Sequence, residues 1–183
     1  PTAESKRPLK NTSGLKSVVM WDPESKVKFA LNEPARPHFK ASQINLFNEA
    51  HRGCGVQHIA LAVVDIQSTA KGLQERKASI MPPSLDYYDQ LPQALQEMGV
   101  GEINESIDTL RQLGLLVDGE QQGAYSLKLF LQAESSQYAD AGPGPFLLQL
   151  LQRCGDKGFG NQSFRALFHR AKQQPNRNGV SMR

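Results

Sequence analysis

Three polar side chains that could do chemistry stand inside apolar stretches of this chain. His58 interrupts a run of valine, isoleucine, alanine and leucine residues, and Lys128 and Gln149 interrupt two leucine-rich runs. A polar group that is buried in a strand needs a hydrogen-bond partner or a ligand. The pattern is therefore compatible with a functional site around these residues. For Lys128 and Gln149 it is equally compatible with a strand at the sheet edge or a sheet face that is open to water.

The composition argues against two classes of function. The 183 residues carry a formal net charge of only +3, and their lysines and arginines are scattered along the chain. A nucleic-acid groove usually shows a basic stripe interleaved with aromatic residues, and the absence of one here predicts no nucleic-acid partner. No apolar run approaches the ~20 residues of a membrane-spanning helix, so we expect no membrane span.

The two cysteines, Cys54 and Cys154, lack the spacing of a metal site or of a redox pair. This usage favours a reducing compartment, and we expect a soluble protein of the cytoplasm or of an organelle matrix. The chain begins at Pro1 rather than at methionine, for which a processed N terminus or a partial sequence is the expectation.

The elements that must position the three polar side chains begin with a hairpin. Residues 15–21 are rich in β-forming residues, residues 22–25 have the composition of a turn, and residues 27–31 make the return strand. Residues 43–51 predict a short helix before the glycines at 53 and 55.

A βαβββ pattern begins after this helix. Residues 56–64 predict a buried strand, and Asp65 is a candidate N-cap for a helix with Ile66, Ala70 and Leu73 on one face. We expect Pro92 to interrupt the start of a second helical region. The remaining predicted elements are a helix that ends at Gly114, strands at 115–118, 124–131 and 146–152, and a final helix at 163–173.

This order predicts an α+β fold with a mainly antiparallel sheet. The expected organisation is a flexible arm (1–13), a hairpin with a linker (14–54), a βαβββ module with helical insertions (55–153), a gate loop with a C-terminal helix (154–174), and a tail (175–183).

The stretch Gly55-Val56-Gln57-His58-Ile59-Ala60 resembles the 4-hydroxyphenylpyruvate dioxygenase family, of the vicinal-oxygen-chelate fold. Further matches follow in order along most of the chain. They are Leu15-Lys16-Ser17-Val18-Val19, Leu31-Asn32-Glu33-Pro34, Ser42-Gln43-Ile44, Tyr87-Tyr88, Leu115-Leu116-Val117-Asp118, Gln152-Arg153, Gly158-Phe159-Gly160, Phe164 and Leu167-Phe168.

The resemblance implies a half-open barrel built from βαβββ modules. Its hairpin at 14–54 would belong to a second module that is incomplete in this chain. The family's active members hold Fe(II) with two histidines and one glutamate, which leaves open positions for a 2-oxo acid substrate and dioxygen. The reaction converts hydroxyphenylpyruvate into homogentisate.

The resemblance places His58 at one histidine ligand position and Gln149 at the carboxylate position. The other histidine would precede residue 1. Glutamine lacks the negative charge that offsets the metal's charge, so this chain supplies only one of the three ligands securely. Substrate-lining positions by the same resemblance are Ser17, Asn32, Gln43, Gln57, Lys128, Phe130, Phe159 and Phe164.

At three positions the chain departs from the pattern of the family that it resembles. Lys128 replaces a glutamine, Leu147 replaces a phenylalanine, and Ser163 replaces an asparagine. Alternation along the strands should point Lys128, Leu147 and Gln149 toward the same cavity. Losing a carboxylate while gaining an amine changes the local charge by two units, and the added cation opposes a metal ion. These changes predict loss of the iron site.

Three functions remain open on the sequence. The chain could be a non-catalytic structural or assembly subunit without a cofactor, an Fe(II)-dependent dioxygenase or the C-terminal piece of one, or a binder of a small anion through Lys128. An isolated hairpin is marginally stable in water and an open strand edge invites association. We therefore expect a protein partner or a second copy of the chain to complete the sheet.

Overall fold

The computed structural model describes residues 15–34, 43–132 and 146–158. The chain divides into two compact units, Pro1–Gly55 and Val56–Arg183. The predicted arm, the gate loop beyond residue 158, the final helix and the tail lie outside the described residues.

The first unit contains the predicted hairpin. Strand β1 (Leu15–Trp21) pairs antiparallel with β2 (Lys28–Pro34), and helix α1 (Gln43–His51) follows. The turn is held by Asp22, whose carboxylate accepts a hydrogen bond from the Ser25 amide at 2.7 Å. The return strand continues to Pro34, beyond the predicted end at residue 31, because the ladder with β1 extends to the pair Leu15↔Pro34.

The second unit is built on a four-stranded mixed sheet. Strands β3 (His58–Ala62), β4 (Leu116–Gln121), β5 (Ala124–Gln132) and β6 (Leu147–Cys154) lie in the order β3-β6-β5-β4. The β3–β6 pair is parallel and the other two pairs are antiparallel. The predicted α+β class is confirmed, and the sheet is open rather than closed into a barrel.

Three helices of this unit follow β3 along the chain. They are α2 (Ile66–Glu75), α3 (Leu85–Glu97) and α4 (Ile107–Leu113). The predicted N-cap is present, since the Asp65 carboxylate accepts from the Ser68 amide at 3.0 Å. Helix α4 ends at Gly114, as predicted, where the backbone turns to a left-handed φ of 71°. None of the helices in the described ranges is long and apolar enough to cross a membrane.

The prediction that Pro92 would interrupt the start of a helix is wrong. Helix α3 runs through Pro92. Tyr88, Leu91 and Leu95 on one face of this helix are all buried in the core, and this packing outweighs the backbone hydrogen bond that proline cannot make.

The main core lies between the sheet and the helices. Leu127 and Leu129 from β5 and Leu150 from β6 pack with Ile66 and Ala70 of α2. All five side chains are at most 8% exposed, so this cluster accounts for most of the apolar burial that holds the unit together.

The predicted burial of residues 56–64 is wrong. Strand β3 is shorter, and its Ile59 and Leu61 are 48% and 49% exposed. The physical reason is its place in the sheet: β3 is an edge strand with β6 as its one neighbour in the described part of the sheet. An apolar run alone does not distinguish a covered central strand from an uncovered edge strand.

Candidate functional site

His58 opens strand β3 and lies half-buried against the sheet. Its Nδ1 lies 3.3 Å from the Gln57 side-chain oxygen, and its ring meets Phe130 edge-on, with centroids 6.3 Å apart. Burial, together with the smaller effect of the Lys128 charge, lowers the pKa of His58 to about 4. The imidazole is therefore neutral at pH 7 and has the protonation state that a metal ligand requires.

Strand register places the candidate residues on one face of the sheet. His58 pairs with Leu147, and Gln149 pairs with Ala60 on one side and with Phe130 on the other. Directly paired residues point to the same face, and residues two apart along a strand do so too. The face that carries His58 therefore also carries Lys128, Phe130, Leu147 and Gln149, which we call the His58 face.

Lys128 and Gln149 are both buried, at 3% and 5% exposure. The alternative that they lie at the sheet edge or face open water is therefore wrong, because β5 and β6 are the two central strands and this part of the face is covered. A buried ammonium must be compensated.

Asp118 supplies this compensation for Lys128. The Lys128 Nζ donates to Asp118 Oδ2 at 3.1 Å, and the two side chains are 4% and 1% exposed. Burial lowers the pKa of Lys128, and the neighbouring Asp118 carboxylate partly offsets that shift. Asp118 is displaced by two residues along β4 from Leu116, which pairs with Lys128, so its side chain lies on the same face.

Sequence reasoning missed Asp118 as a member of the site. The available signal was that Asp118 is a charged residue directly after the apolar residues of a predicted strand. The alternation of side chains along a strand could place it on the same sheet face as Lys128 of the neighbouring strand. That signal needs the β4–β5 register, which the sequence does not provide.

Polar side chains near the C-terminal end of β6 also have hydrogen-bond or ion-pair partners. The Arg153 guanidinium lies 3.5 Å from Asp156 Oδ2 and donates to the Gly158 carbonyl at 2.9 Å. Ser126, which pairs with Arg153 in the ladder, lies with its hydroxyl 3.4 Å from the Asp118 carbonyl oxygen. The cationic groups of this end are thus matched by carboxylates of the same unit.

The substrate-lining residues expected from the resemblance are divided between the two units. Gln57, Lys128 and Phe130 lie with His58 in the second unit. Ser17 and Asn32 lie in the first unit, where the Ser17 hydroxyl donates to the Asn32 side-chain oxygen at 2.6 Å in an exposed pair. The other expected residues are Gln43, which begins α1, and Phe159 and Phe164, which lie outside the described residues.

The donor set on the His58 face does not match the one that the resemblance implies. It offers one imidazole and the Gln149 amide, while the Asp118 carboxylate is engaged by an ammonium. Within residues 15–34, 43–132 and 146–158, no group of three histidine, cysteine, aspartate or glutamate side chains is placed to hold a metal ion.

Comparison with solved structures defines the class of fold. The chain superposes on a mutant 4-hydroxymandelate synthase from Streptomyces coelicolor with a TM-score of 0.63 and 24% identity, over 87% of this chain and 42% of that one. It also superposes on a xylose isomerase-like TIM barrel/4-hydroxyphenylpyruvate dioxygenase fusion protein with a TM-score of 0.59 and 17% identity, over 86% and 23%. The fold is that of the vicinal-oxygen-chelate proteins of this type.

Comparison with curated proteins gives the particular relationship, although no protein-family model matches the chain. The chain is 38% identical over 156 residues to 4-hydroxyphenylpyruvate dioxygenase of Sus scrofa, covering 85% of this chain and 37% of that protein. The corresponding protein of Caenorhabditis briggsae is 36% identical over 168 residues, with 91% and 41% covered. The chain is therefore a homologue of part of the 4-hydroxyphenylpyruvate dioxygenases, and it spans about two fifths of their length.

Proposed function

We propose that this chain is a degenerate relative of 4-hydroxyphenylpyruvate dioxygenase that has lost the iron site and serves as a structural or assembly subunit. The observation that carries the proposal is the buried Lys128–Asp118 pair on the His58 face. In this pair the Lys128 ammonium is a cation held in place on the His58 face, and it neutralises the Asp118 carboxylate.

The electrostatics of this face disfavour a dication. Replacing a carboxylate by the Gln149 amide removes a negative charge, and the Lys128 ammonium adds a positive one. Charges a few ångströms apart interact strongly away from water. The residues present therefore do not fit Fe(II), and we derive no reaction step through it.

Exposed apolar surface supports the partner in this proposal. On one face of the hairpin, Val18 and Met20 of β1 pair with Leu31 and Phe29 of β2, and all four side chains are 52–62% exposed. Contiguous exposed apolar surface of this kind marks a site of association. A partner that covers this hairpin face and adds a strand to the two-stranded sheet would stabilise the hairpin.

An Fe(II)-dependent dioxygenase, or a part of one, is the second candidate function. The names of the curated relatives favour it, as does the presence of Ser17, Asn32, Gln57 and His58 at positions that match the family. In that case another polypeptide segment would supply the missing histidine, and Fe(II) would be the cofactor.

Binding of a small anion through Lys128 is less well supported. Lys128 is 3% exposed and its ammonium already contacts a carboxylate, so an incoming anion would have to displace Asp118.

The test of the proposed function combines iron analysis with an oxygen-electrode assay. The purified chain is incubated with Fe(II) under anaerobic conditions, desalted, and assayed for iron content and for hydroxyphenylpyruvate-dependent oxygen uptake. The pig relative, treated in parallel, is the positive control. We expect iron far below one per chain and no substrate-dependent uptake. Stoichiometric iron together with turnover would establish the second candidate instead.

A further inference from the structure

Four polar side chains of the His58 face form a diagonal line across the four-stranded sheet. His58, Gln149, Lys128 and Asp118 come one from each strand, in the sheet order β3-β6-β5-β4. The strand register displaces each of them by two residues from the position directly opposite the previous one. Successive members of the line are therefore diagonal neighbours on one face, a separation that long side chains can span.

Apolar side chains flank this line. Leu116, Phe130 and Leu147 lie on the same face, pack in one cluster, and are at most 7% exposed. Little water reaches the polar groups between them, so a charge on this face is weakly screened and depends on a partner within the chain. The face thus tolerates a cation only where a carboxylate holds it.

The carboxylate that holds the Lys128 ammonium is Asp118. The two charged atoms lie 3.1 Å apart, and both side chains are at most 4% exposed. Asp156 and Arg153 are the next nearest charges, and their effects on the ammonium oppose each other. They also form an ion pair of their own at 3.5 Å. The charge balance at Lys128 therefore rests on Asp118.

We infer that the Lys128 ammonium is the resident cation of the His58 face, and that it replaces a metal ion as the charge on which the folded face depends. The inference rests on the proposed function, because it states what compensates for the loss of iron. An ammonium suits the position, since it is a compact charge with three donors on a flexible apolar stem. The stem lies among apolar side chains while the charge meets the carboxylate.

Chemical rescue of a truncated side chain tests this inference. Lys128→Ala should leave the Asp118 carboxylate at the end of an apolar cavity, and n-propylammonium has the atoms that this variant lacks. We expect the amine to raise the melting temperature of Lys128→Ala saturably, by about 3–5 °C at ten times its dissociation constant. Wild type should not respond. Neutral n-propanol and the bulkier tetramethylammonium ion, at the same concentrations, should not reproduce the shift.

The matched control variant is Lys128→Ala/Asp118→Asn. It keeps the same cavity and nearly the same shape, but it lacks the charge that would attract the amine. The n-propylammonium shift should disappear in this double variant. An equal shift in both variants would show that the amine acts through some other site, and would overturn the resident cation.

Lys128→Met keeps the test decisive if the alanine variant does not fold. Methionine fills most of the space of the lysine stem and removes only the charge. We expect it to lower the melting temperature by about 6 °C or more, because it leaves the Asp118 carboxylate buried without a counter-ion. A methionine variant as stable as wild type would overturn the inference, since the face would then need no cation.

The outcomes separate this inference from the proposed function. An iron-free, inactive chain in which the amine gives no saturable shift would overturn the resident cation and leave the loss of the iron site standing. Wild-type chain that holds stoichiometric iron and turns over would overturn both. Asp118-dependent rescue in a chain that holds no iron supports both.

Discussion

A buried ammonium is tolerated at Lys128 because the Asp118 carboxylate lies 3.1 Å away and neither side chain reaches water. Two charges taken out of water are each costly, and their attraction offsets that cost only while both are present. The same pair fixes the electrostatic character of the His58 face, since Lys128 also lowers the pKa of His58. Lys128 thus affects the imidazole, the neighbouring carboxylate and any metal ion that approaches.

Removing one member of the pair should cost more than removing both. We expect Asp118→Leu to lower the free energy of unfolding by about 3–5 kcal/mol, because it leaves an uncompensated buried cation. The double variant Asp118→Leu/Lys128→Met should recover most of that loss. Urea denaturation of the two single variants and the double variant gives the coupling energy. Additive losses would contradict a direct interaction between the two side chains.

Acidification should destabilise the metal-free chain through His58. Its pKa is about 4 in the folded chain, against 6.5 for an imidazole exposed to water, so between these two pH values the unfolded chain binds more protons. Stability therefore falls as pH drops from 7 to 5, by about 1–2 kcal/mol. His58→Gln should remove that part of the pH dependence in a thermal denaturation series. Identical pH profiles for the two proteins would contradict a neutral buried imidazole.

Some of the contacts that place the elements of the second unit can be predicted from the sequence, and others cannot. Helix α2 could be predicted because its N-cap at Asp65 and its buried face are local features. Helix α3 continues through Pro92 because the core holds its apolar face, a tertiary effect that overrides a local one. The exposure of β3 and the role of Asp118 depend on strand order and register, which lie beyond the reach of side-chain periodicity.

Tyr87 closes the edge of β4 that faces away from β5, because its hydroxyl accepts a hydrogen bond from the Val117 amide at 2.9 Å and lies 3.4 Å from the Val117 carbonyl oxygen. Burial raises the pKa of its phenol far above the usual range, so the hydroxyl stays protonated. Tyr87→Phe leaves the buried Val117 amide without its acceptor and should cost about 1–3 kcal/mol in unfolding free energy.

Amide hydrogen exchange is the specific measurement for this edge. Protection at Val117 should fall in Tyr87→Phe by more than the change in global stability requires. Tyr88→Phe is the matched control, because the buried Tyr88 hydroxyl has no hydrogen-bond partner among residues 15–34, 43–132 and 146–158. Unchanged protection at Val117 would show that other contacts close the edge.

At the scale of the whole molecule, the relationship to the dioxygenases could be predicted from the sequence, because it rests on matches spread along most of the chain. The loss of the iron site is a proposal that rests on the Lys128–Asp118 pair and on Gln149. The exposed apolar face of the hairpin adds a second feature, surface suited to association.

Titration calorimetry of the chain with Fe(II) under anaerobic conditions is the most direct test of the loss of the iron site. The account predicts no saturable one-to-one site for the wild-type chain, with the pig relative showing such a site in the same experiment. In Gln149→Glu/Lys128→Gln, which restores a carboxylate and removes the ammonium, iron binding should strengthen about tenfold or more. Tight one-to-one binding of Fe(II) by the wild-type chain would contradict the loss of the iron site.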